Sequence, residues 1–532
     1  MDMDELNDVD ARLSTTGSRI GILTCGRREK PFRPVQIEAL QWFEKVWDEN
    51  DVFVFEAPTA TGKSMMVTTI ARWLSVIGSR ASIITPTKLL QDQYLKDFVE
   101  IPVLKGQAAY TCDQNGLQGT CRETKQHVGN CCVGEGGMMV CPYLIARAEA
   151  SAANVALFNF HSYYANKMYK DTLIADEAHN AIGFLFDFYS LKLWKCEVGY
   201  ADDLQLDSAS IRDLIKATIK SLSDTLIDWS VSGVGDSQKE ALEKEIERLT
   251  YIQSTIDYYK NDLLIEKDKE EYRGKKKEFK GTEQEYIYVK PLKIDKMGND
   301  LLWPKSPVQK IILLSATIFP LDLETLGLNG KKVAYFRCGS PIPPENRPFV
   351  IWPVASMKWS NRAASLPKMV EGIRTLAKLH HDTKGVIHCT YELNRKLESA
   401  FGHDPRFWFH TNQNKMEKYN QFRAATGNQI FVASGMDEGI DLAFDAGRWQ
   451  VLTQLMRPNI ADKVNKWMAN NRPMAYHLET VRKVIQQTGR ICRDPTDIGI
   501  TYMIDSEFYS LWGQAKDLFS QWFIDAMIWP KK

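Results

Sequence analysis

Gly62-Lys63-Ser64 closes a loop of small residues, "EAPTATGKS", that follows an apolar run and leads into a stretch with helical spacing. A strand, such a loop and a helix in that order can hold the phosphates of a nucleotide. Backbone N–H groups and the positive helix end cradle the oxygens, a lysine reaches the β and γ positions, and a hydroxyl binds Mg²⁺. Lys63 and Ser64 are the right types for the last two tasks, with Thr59, Ala60, Thr61 and Gly62 as the cradle. Ala60 stands where glycine is common, and its methyl group narrows the backbone conformations open to the loop. Taken alone, the segment also reads as an ordinary strand-to-helix turn.

Two further clusters fit the same chemistry. In "DTLIADEAHNA" an apolar strand delivers Asp176 and Glu177 to its carboxyl end, where ligands bind in open α/β sheets. Asp176 could hold Mg²⁺ with Ser64, Glu177 could orient an attacking water, and His179 could link hydrolysis to other parts. An acidic helix start is the alternative. In "VRKVIQQTGRICRDP" a short helical stretch is predicted to carry Gln486, Gly489, Arg490 and Arg493. The two arginines, three apart, would share one helix face and stabilise charge on a γ-phosphate from a second domain. The three clusters together point to ATP hydrolysis.

A fourth cluster has metal chemistry. Of ten cysteines, Cys112, Cys121, Cys131, Cys132 and Cys141 lie within thirty residues. In a reducing compartment that density suggests a metal site more than disulfides. Iron–sulfur clusters and structural zinc both take four thiolates. Zinc favours close C-x₂₋₄-C pairs, which this run lacks, so the spacing favours a cluster, with zinc as the alternative.

The elements that must position these residues alternate along the chain. "ASIITP", "VALFNF", "TLIADE" and "IILLSAT" in the first half, then "GVIHCT", "QIFVAS", "WQVLTQL" and "GITYMI", are short apolar runs followed by polar loops. Buried parallel strands read this way, so the fold class is α/β. At 532 residues the chain needs three or four domains. Lys+Arg and Asp+Glu are equal at 67 each, so a nucleic-acid binder would have to concentrate its basic residues locally. No apolar run reaches the ~20 residues of a membrane span, and the first residues are acidic and polar. The expectation is a cytoplasmic protein, nuclear if the source is eukaryotic, with no membrane partner.

About 135 residues separate His179 from Ser315, more than an α/β connection needs. Ile211, Leu214, Ile215, Ile219, Leu222 and Leu226 repeat at helical spacing, as do Leu242, Ile246, Leu249, Ile252 and Ile256, which predicts a helical hairpin. The charged run 266–281, with Lys275, Lys276 and Lys277, reads as a solvated linker or a phosphate contact. A strand over 285–294 would return the chain to the first domain.

In this order and spacing the motifs resemble the helicases of superfamily 2, specifically the iron–sulfur XPD/DinG-like group, from about residue 30 to 505. "FRPVQ", with Arg33 and Gln36, resembles the adenine-reading segment, and "APTATGKS" and "DEAH" resemble the phosphate loop and Mg²⁺ box. "ITPTKLLQDQ", with Thr85, Thr87 and Lys88, looks like a strand-contacting motif, and "LLSATI", with Ser315 and Thr317, like the coupling motif. "GMDEGIDL", with Gly439 and Asp441, and "QQTGRICR" complete the set.

The resemblance implies two doubly wound, RecA-like motor domains with ATP and Mg²⁺ in the cleft between them. The first would comprise residues 1–105, 149–195 and 301–337, and the second 338–532. A Cys-rich domain over 106–148 would hold a [4Fe–4S] cluster on Cys112, Cys121, Cys141 and Cys132, with Cys131 as the alternative to Cys132. A mainly helical arch would cover 196–300. The implied activity is ATP-dependent DNA unwinding by a monomeric motor moving 5′→3′ on single-stranded DNA, with forked or tailed duplexes as substrates. Tyr163 and Tyr164 join Thr85, Thr87 and Lys88 as candidate strand contacts. An RNA or RNA–DNA helicase, a protein-stripping translocase and a non-catalytic nucleic-acid adaptor stand beside this reading. Intact Lys63, Glu177 and Arg493 argue against the adaptor.

Overall fold

The computed structural model describes residues 21–26, 31–112, 119–121, 141–232, 236–274, 276–302, 307–436 and 440–530. A first sheet of seven parallel strands runs in the order Val333–Arg337, Val52–Glu56, Lys310–Ser315, Thr172–Asp176, Ala81–Thr85, Val155–Asn159, Val103–Leu104. Its inner strands are apolar without alternation because both faces are covered. Val52 and Val54 pack on one face with Leu173, Ala175, Ile311 and Leu313. Phe53 and Phe55 pack on the other with Ile174, Ile312 and Leu314, under Phe43 and Trp73.

A second sheet, also of seven parallel strands, runs Phe407–Trp408, Ile430–Ser434, Gly385–Cys389, Trp449–Leu452, Ile500–Asp505, Phe349–Ala355, Met527–Ile528. The chain is therefore two doubly wound α/β units, and both sheets turn their carboxyl ends toward the cleft residues described below. In each unit the strand order reverses within the sheet, which opens a crevice for ligands.

The insertion in the first unit is built in two parts. Helices Ser208–Val231 and Asp236–Tyr259 form a hairpin in which Ile211 and Ile215 are buried with Leu249, Ile252 and Ile256. Beside it lies a three-stranded antiparallel sheet, Leu191–Trp194, Glu283–Pro291 and Leu263–Glu271. The linker reading of 266–281 is corrected here: residues through Glu271 pair as a strand with 283–291, and Lys269 lies opposite Glu285. Other charges face apolar or like-charged neighbours, Lys267 opposite Ile287, Asp268 opposite Tyr286 and Glu271 opposite Glu283. Lys192 pairs with Glu270 and lies 4.6 Å from the Tyr286 ring centroid. Composition alone does not separate such a ribbon from a solvated tether. Lys275 lies outside the described residues. No described helix is long and apolar enough to cross a membrane.

Candidate active site

The phosphate loop leaves the Val52–Glu56 strand and enters helix Lys63–Val76 through Gly62 at φ 76°. Ala60 also adopts a positive φ of 68°, where an L-residue costs roughly 1–2 kcal/mol. Neighbouring side chains hold that backbone. Arg33 donates to the Ala60 carbonyl, and the Gln36 amide donates to the carbonyls of Thr61 at 2.9 Å and Gly62 at 3.2 Å. At this φ a side chain on Gly62 would be strained, and its Cβ would lie 2.4 Å from Gln36 Nε2, displacing the amide that braces the loop. Arg33 and Gln36 thus brace the loop. Thr61 Oγ1 donates to Pro58 at 2.8 Å. Across the cleft, a Cβ on Gly489 would approach Thr59 Oγ1 to 2.6 Å, so glycine permits the second unit to close on the loop.

Asp176 ends the central Thr172–Asp176 strand, and its carboxylate accepts from Tyr94 Oη at 2.9 Å and from the Glu177 amide at 3.0 Å. Glu177 sits at φ 48°, and its Oε1 is 3.2 Å from Lys63 Nζ. Burial, reinforced by the adjacent Glu177 charge, pushes Asp176 up to about 6. Burial opposes ionisation of Glu177 too, but Lys63, His179 and Arg490 outweigh it and hold this carboxyl down at about 2. The two neighbouring acids are driven apart, Asp176 upward and Glu177 downward.

A hydrogen-bonded path joins this pair to the second unit. Gln486 Nε2, on helix Pro473–Thr488, donates to His179 Nε2 at 2.6 Å. His179 Nδ1 then lies 2.7 Å from Ser315 Oγ, which accepts from Thr317 N at 3.0 Å and reaches Glu177 Oε2 at 3.5 Å. Burial lowers His179 to about 3 against the pull of Glu177. The ring is therefore neutral, with Nε2 accepting and Nδ1–H donating to Ser315.

Arg490 and Arg493 do not lie on a helix face, contrary to the sequence reading. The helix stops at Thr488, and Cys492 adopts a φ of 58°. Buried Asp497 takes the backbone amides of Arg493 at 3.1 Å and Phe444 at 2.9 Å, which bends the chain away. Both arginines still border the cleft. Arg490 contributes to the low pKa of Glu177. Arg493 Nε donates to Asp441 at 3.1 Å, and its Nη1 donates to the Gly489 carbonyl at 3.0 Å. Gly439 lies outside the described residues.

Sequence reasoning missed three contacts across the cleft. Arg482, four residues before Gln486 on the same helix, pairs with Asp322 at 2.7 Å with both side chains buried. Arg33 and Asp494 approach to 3.7 Å. Buried Glu56 accepts from Ser520 of the second unit and from Tyr335, and pairs with Arg337. Only the i, i+4 spacing of Arg482 and Gln486 was a usable sequence signal.

The expected strand contacts fare unevenly. Thr85 is fully buried, and Thr87 caps helix Lys88–Asp97 by accepting from Leu90 N at 3.2 Å, whereas Lys88 is exposed. Tyr163 and Tyr164 are core residues packed edge to face, so neither is presented for stacking. Among the cysteines, Cys121 and Cys141 are buried in one cluster around Tyr143. Cys112 ends the first strand of the ribbon Thr111–Cys112/Gly119–Thr120, paired with Gly119 two positions before Cys121. Cys131 and Cys132 lie outside the described residues. Among the described residues no three His, Cys, Asp or Glu side chains form a metal site.

Residues 29–191 match a family model described as type III restriction enzyme, res subunit, and residues 378–525 match one described as helicase C-terminal domain. Solved structures of like fold include an XPD helicase, 14% identical with a TM-score of 0.56, the alignment covering 94% of this chain and 100% of that one. Xpd4 of S. tokodaii is 13% identical, with a TM-score of 0.55 and coverage of 94% and 100%. No curated protein matches the chain.

Proposed function

We propose that this protein, an XPD-like ATP-driven helicase of superfamily 2 by its fold and its two matching domains, moves along single-stranded DNA from 5′ to 3′ and parts forked or tailed duplexes. The observation that carries the reading is the path Gln486–His179–Ser315–Glu177, which ties the second unit to the carboxylate beside Lys63. A motor must make hydrolysis depend on domain arrangement, and a ligand shifts such an arrangement only through contacts that differ between states. Here the contact differs by construction, since one partner leaves when the cleft opens.

In this assignment Lys63 and the loop amides bind the β- and γ-phosphates, Glu177 orients the water, and Arg490 and Arg493 offset the charge that develops on the transferred group. Ser64 and Asp176 would hold Mg²⁺, which supplies Lewis-acid polarisation of the phosphates when bound. Lys63 is held by Glu177 at 3.2 Å; an incoming γ-phosphate competes for the lysine and frees the carboxylate for water. Arg33 and Gln36, which brace the loop, would also meet the adenine.

Two of the four thiolates that a [4Fe–4S] cluster would take, those of Cys121 and Cys141, are buried in the described part of the cysteine segment. Cys141 is the N-cap of helix Pro142–Ala152, and Cys121 is buried in the same cluster of residues. Cys112, Cys121, Cys141 and either Cys132 or Cys131 would hold it. The cluster would brace a segment that has little apolar content of its own.

The test is ATP turnover by anaerobically purified protein without nucleic acid, with single-stranded DNA and with single-stranded RNA, after its visible spectrum is recorded. A brown protein stimulated mainly by DNA is the expected outcome. Stimulation mainly by RNA would overturn the substrate, and a colourless, fully active protein would overturn the cluster.

A further inference from the structure

Tyr94 is the first residue after the segment "ITPTKLLQDQ", and the assignments above give it no task. Helix Lys88–Asp97 and its C-cap turn one face inward, with Gln91, Tyr94 and Phe98 buried. Their spacing of three and four residues is that of a single helical face. The helix is anchored on either side of the phenol. Gln91 Nε2 donates to the Leu104 carbonyl at 3.4 Å, Asp92 pairs with Lys105, and the ring centroids of Tyr94 and Phe98 lie 6.1 Å apart. Tyr94 also belongs to the same buried cluster as Val67, Ile70 and Trp73 of the phosphate-loop helix. Packing and anchors together fix where the phenol oxygen can reach.

That place is Asp176. Tyr94 Oη donates to Asp176 Oδ2 at 2.9 Å, while Oδ1 accepts from the Glu177 amide at 3.0 Å. The Ser64 side chain is near enough to act on the same phenol by hydrogen bonding. Tyr94 therefore stands beside both side chains assigned to Mg²⁺. The Asp176 residue is only 2% exposed, and Lys63 pairs with Glu177 rather than with it. Among the described residues its hydrogen-bond donors are a phenol and an amide, both neutral, so its charge is left for a cation. A carboxylate oxygen accepts along two directions. One on each oxygen is taken here, and the others remain for a metal. Carboxylate and hydroxyl oxygens are the ligand type that Mg²⁺ prefers.

We infer that Tyr94 is the positioning residue of the Mg²⁺ site: its phenol fixes the rotamer of Asp176, so that the carboxylate meets the cation already oriented. The inference rests on the ATP-site assignment above and adds a residue outside every motif that carries it. An aspartate turns about two side-chain bonds, and the Glu177 amide restrains one of its oxygens. The phenol restrains the other, from an element anchored elsewhere in the first unit. Hydrogen-bonding partners of this kind orient a metal ligand, and their loss costs about 10–100-fold in metal affinity or activity. Tyr94 acts through Asp176, so its effect falls on the metal and not on the nucleotide itself.

The experiment compares the full wild-type chain with two variants. Tyr94→Phe deletes only the phenol oxygen, and Phe98→Leu alters packing on the same helix face at a residue with no polar group. Mn²⁺ is the probe, with the free ion counted by electron paramagnetic resonance at saturating ADP. ADP binding in EDTA and thermal unfolding are measured alongside. Tyr94→Phe should weaken Mn²⁺ binding by about tenfold and leave metal-free ADP binding unchanged. The Mg²⁺ concentration for half-maximal ATP turnover should rise by the same factor, with turnover at saturating Mg²⁺ close to wild type. Phe98→Leu should lower the unfolding temperature and leave Mn²⁺ binding as it is. A Tyr94→Phe protein that binds Mn²⁺ like wild type, or loses metal-free ADP binding equally, would overturn the positioning role and leave the ATP site standing. So would an equal loss of Mn²⁺ in Phe98→Leu. Wild-type protein in which ADP does not raise the affinity for Mn²⁺ would overturn the ATP-site assignment as well.

Discussion

Arg482 and Asp322 come from different α/β units, yet the Arg482 guanidinium donates to both oxygens of Asp322, at 2.7 and 2.8 Å, with the side chains only 4% and 3% exposed. The same guanidinium donates through Nε to the Thr317 carbonyl at 3.2 Å, in the segment that carries Ser315. A paired charge buried at a domain boundary adds little net stability but fixes one arrangement, because separating the partners in place leaves each charge without solvent.

The consequence for folding is testable. Arg482→Met strands the Asp322 carboxylate and should lower stability by about 3–5 kcal/mol. Adding Asp322→Leu should recover all but about 1 kcal/mol, the worth of the cap that Asp322 gives Phe319 N. Urea unfolding of wild type and the two variants checks the order; a double variant no more stable than the single one would refute it.

For catalysis, Lys63→Ala and Glu177→Gln should each lower ATP turnover by at least about 10²-fold, the cost of losing one preorganised transition-state contact. Binding of single-stranded DNA should persist in both. Gln486→Ala leaves the phosphate loop intact and removes the first link to His179. It should cut the stimulation of turnover by DNA about tenfold, within the usual range of a coupling free energy, while basal turnover changes less. Equal losses in basal and stimulated rates would place Gln486 outside the coupling.

The raised Asp176 pKa sets a pH dependence. Mg²⁺ needs the ionised carboxylate, so Mg–ATP affinity should be level above about 6 and fall as pH drops through that value, toward about tenfold per unit. The stability effect has its own sign. Between about 4, the ordinary aspartate value, and 6 the folded state holds more protons than the unfolded one. Asp176 therefore costs stability as pH rises through that window. His179 runs the other way: neutral down to about 3, it makes the fold less stable as pH falls below about 6.5, where the unfolded chain takes up the proton. Nucleotide binding and unfolding measured from pH 5 to 8 separate the two.

At the cysteine segment, Cys121→Ser should remove the visible absorbance and duplex unwinding before it removes basal ATP turnover. Cys121 belongs to the same buried cluster as Tyr143 and Tyr164, one that takes in residues of the first sheet and none of the phosphate loop. A variant that keeps its colour would exclude Cys121 as a ligand.

The sequence by itself determined what is written locally. The phosphate loop, the Asp-Glu pair at a strand end and the alternation of buried strands with helices depend on neighbours within about a turn or a strand, so residue types and period carry them. The helical hairpin was legible for the same reason: Ile211, Ile215, Leu249, Ile252 and Ile256 report their own burial by their spacing. Tertiary structure decided everything that depends on which surfaces meet. Gln486 reaches His179 across 307 residues, Arg482 reaches Asp322 across 160, and Ser520 reaches Glu56 across 464. No local pattern encodes such pairs. The candidate strand contacts share one ambiguity as well. Tyr163, Tyr164 and Thr85 are polar enough for a strand contact and apolar enough for a core, and only the packing of the first sheet buries them. The helix ahead of Arg490 ends at Thr488 with Gly489 as its C-cap, and the chain beyond it is held by Asp497, outside the motif, which accepts from the Arg493 and Phe444 amides.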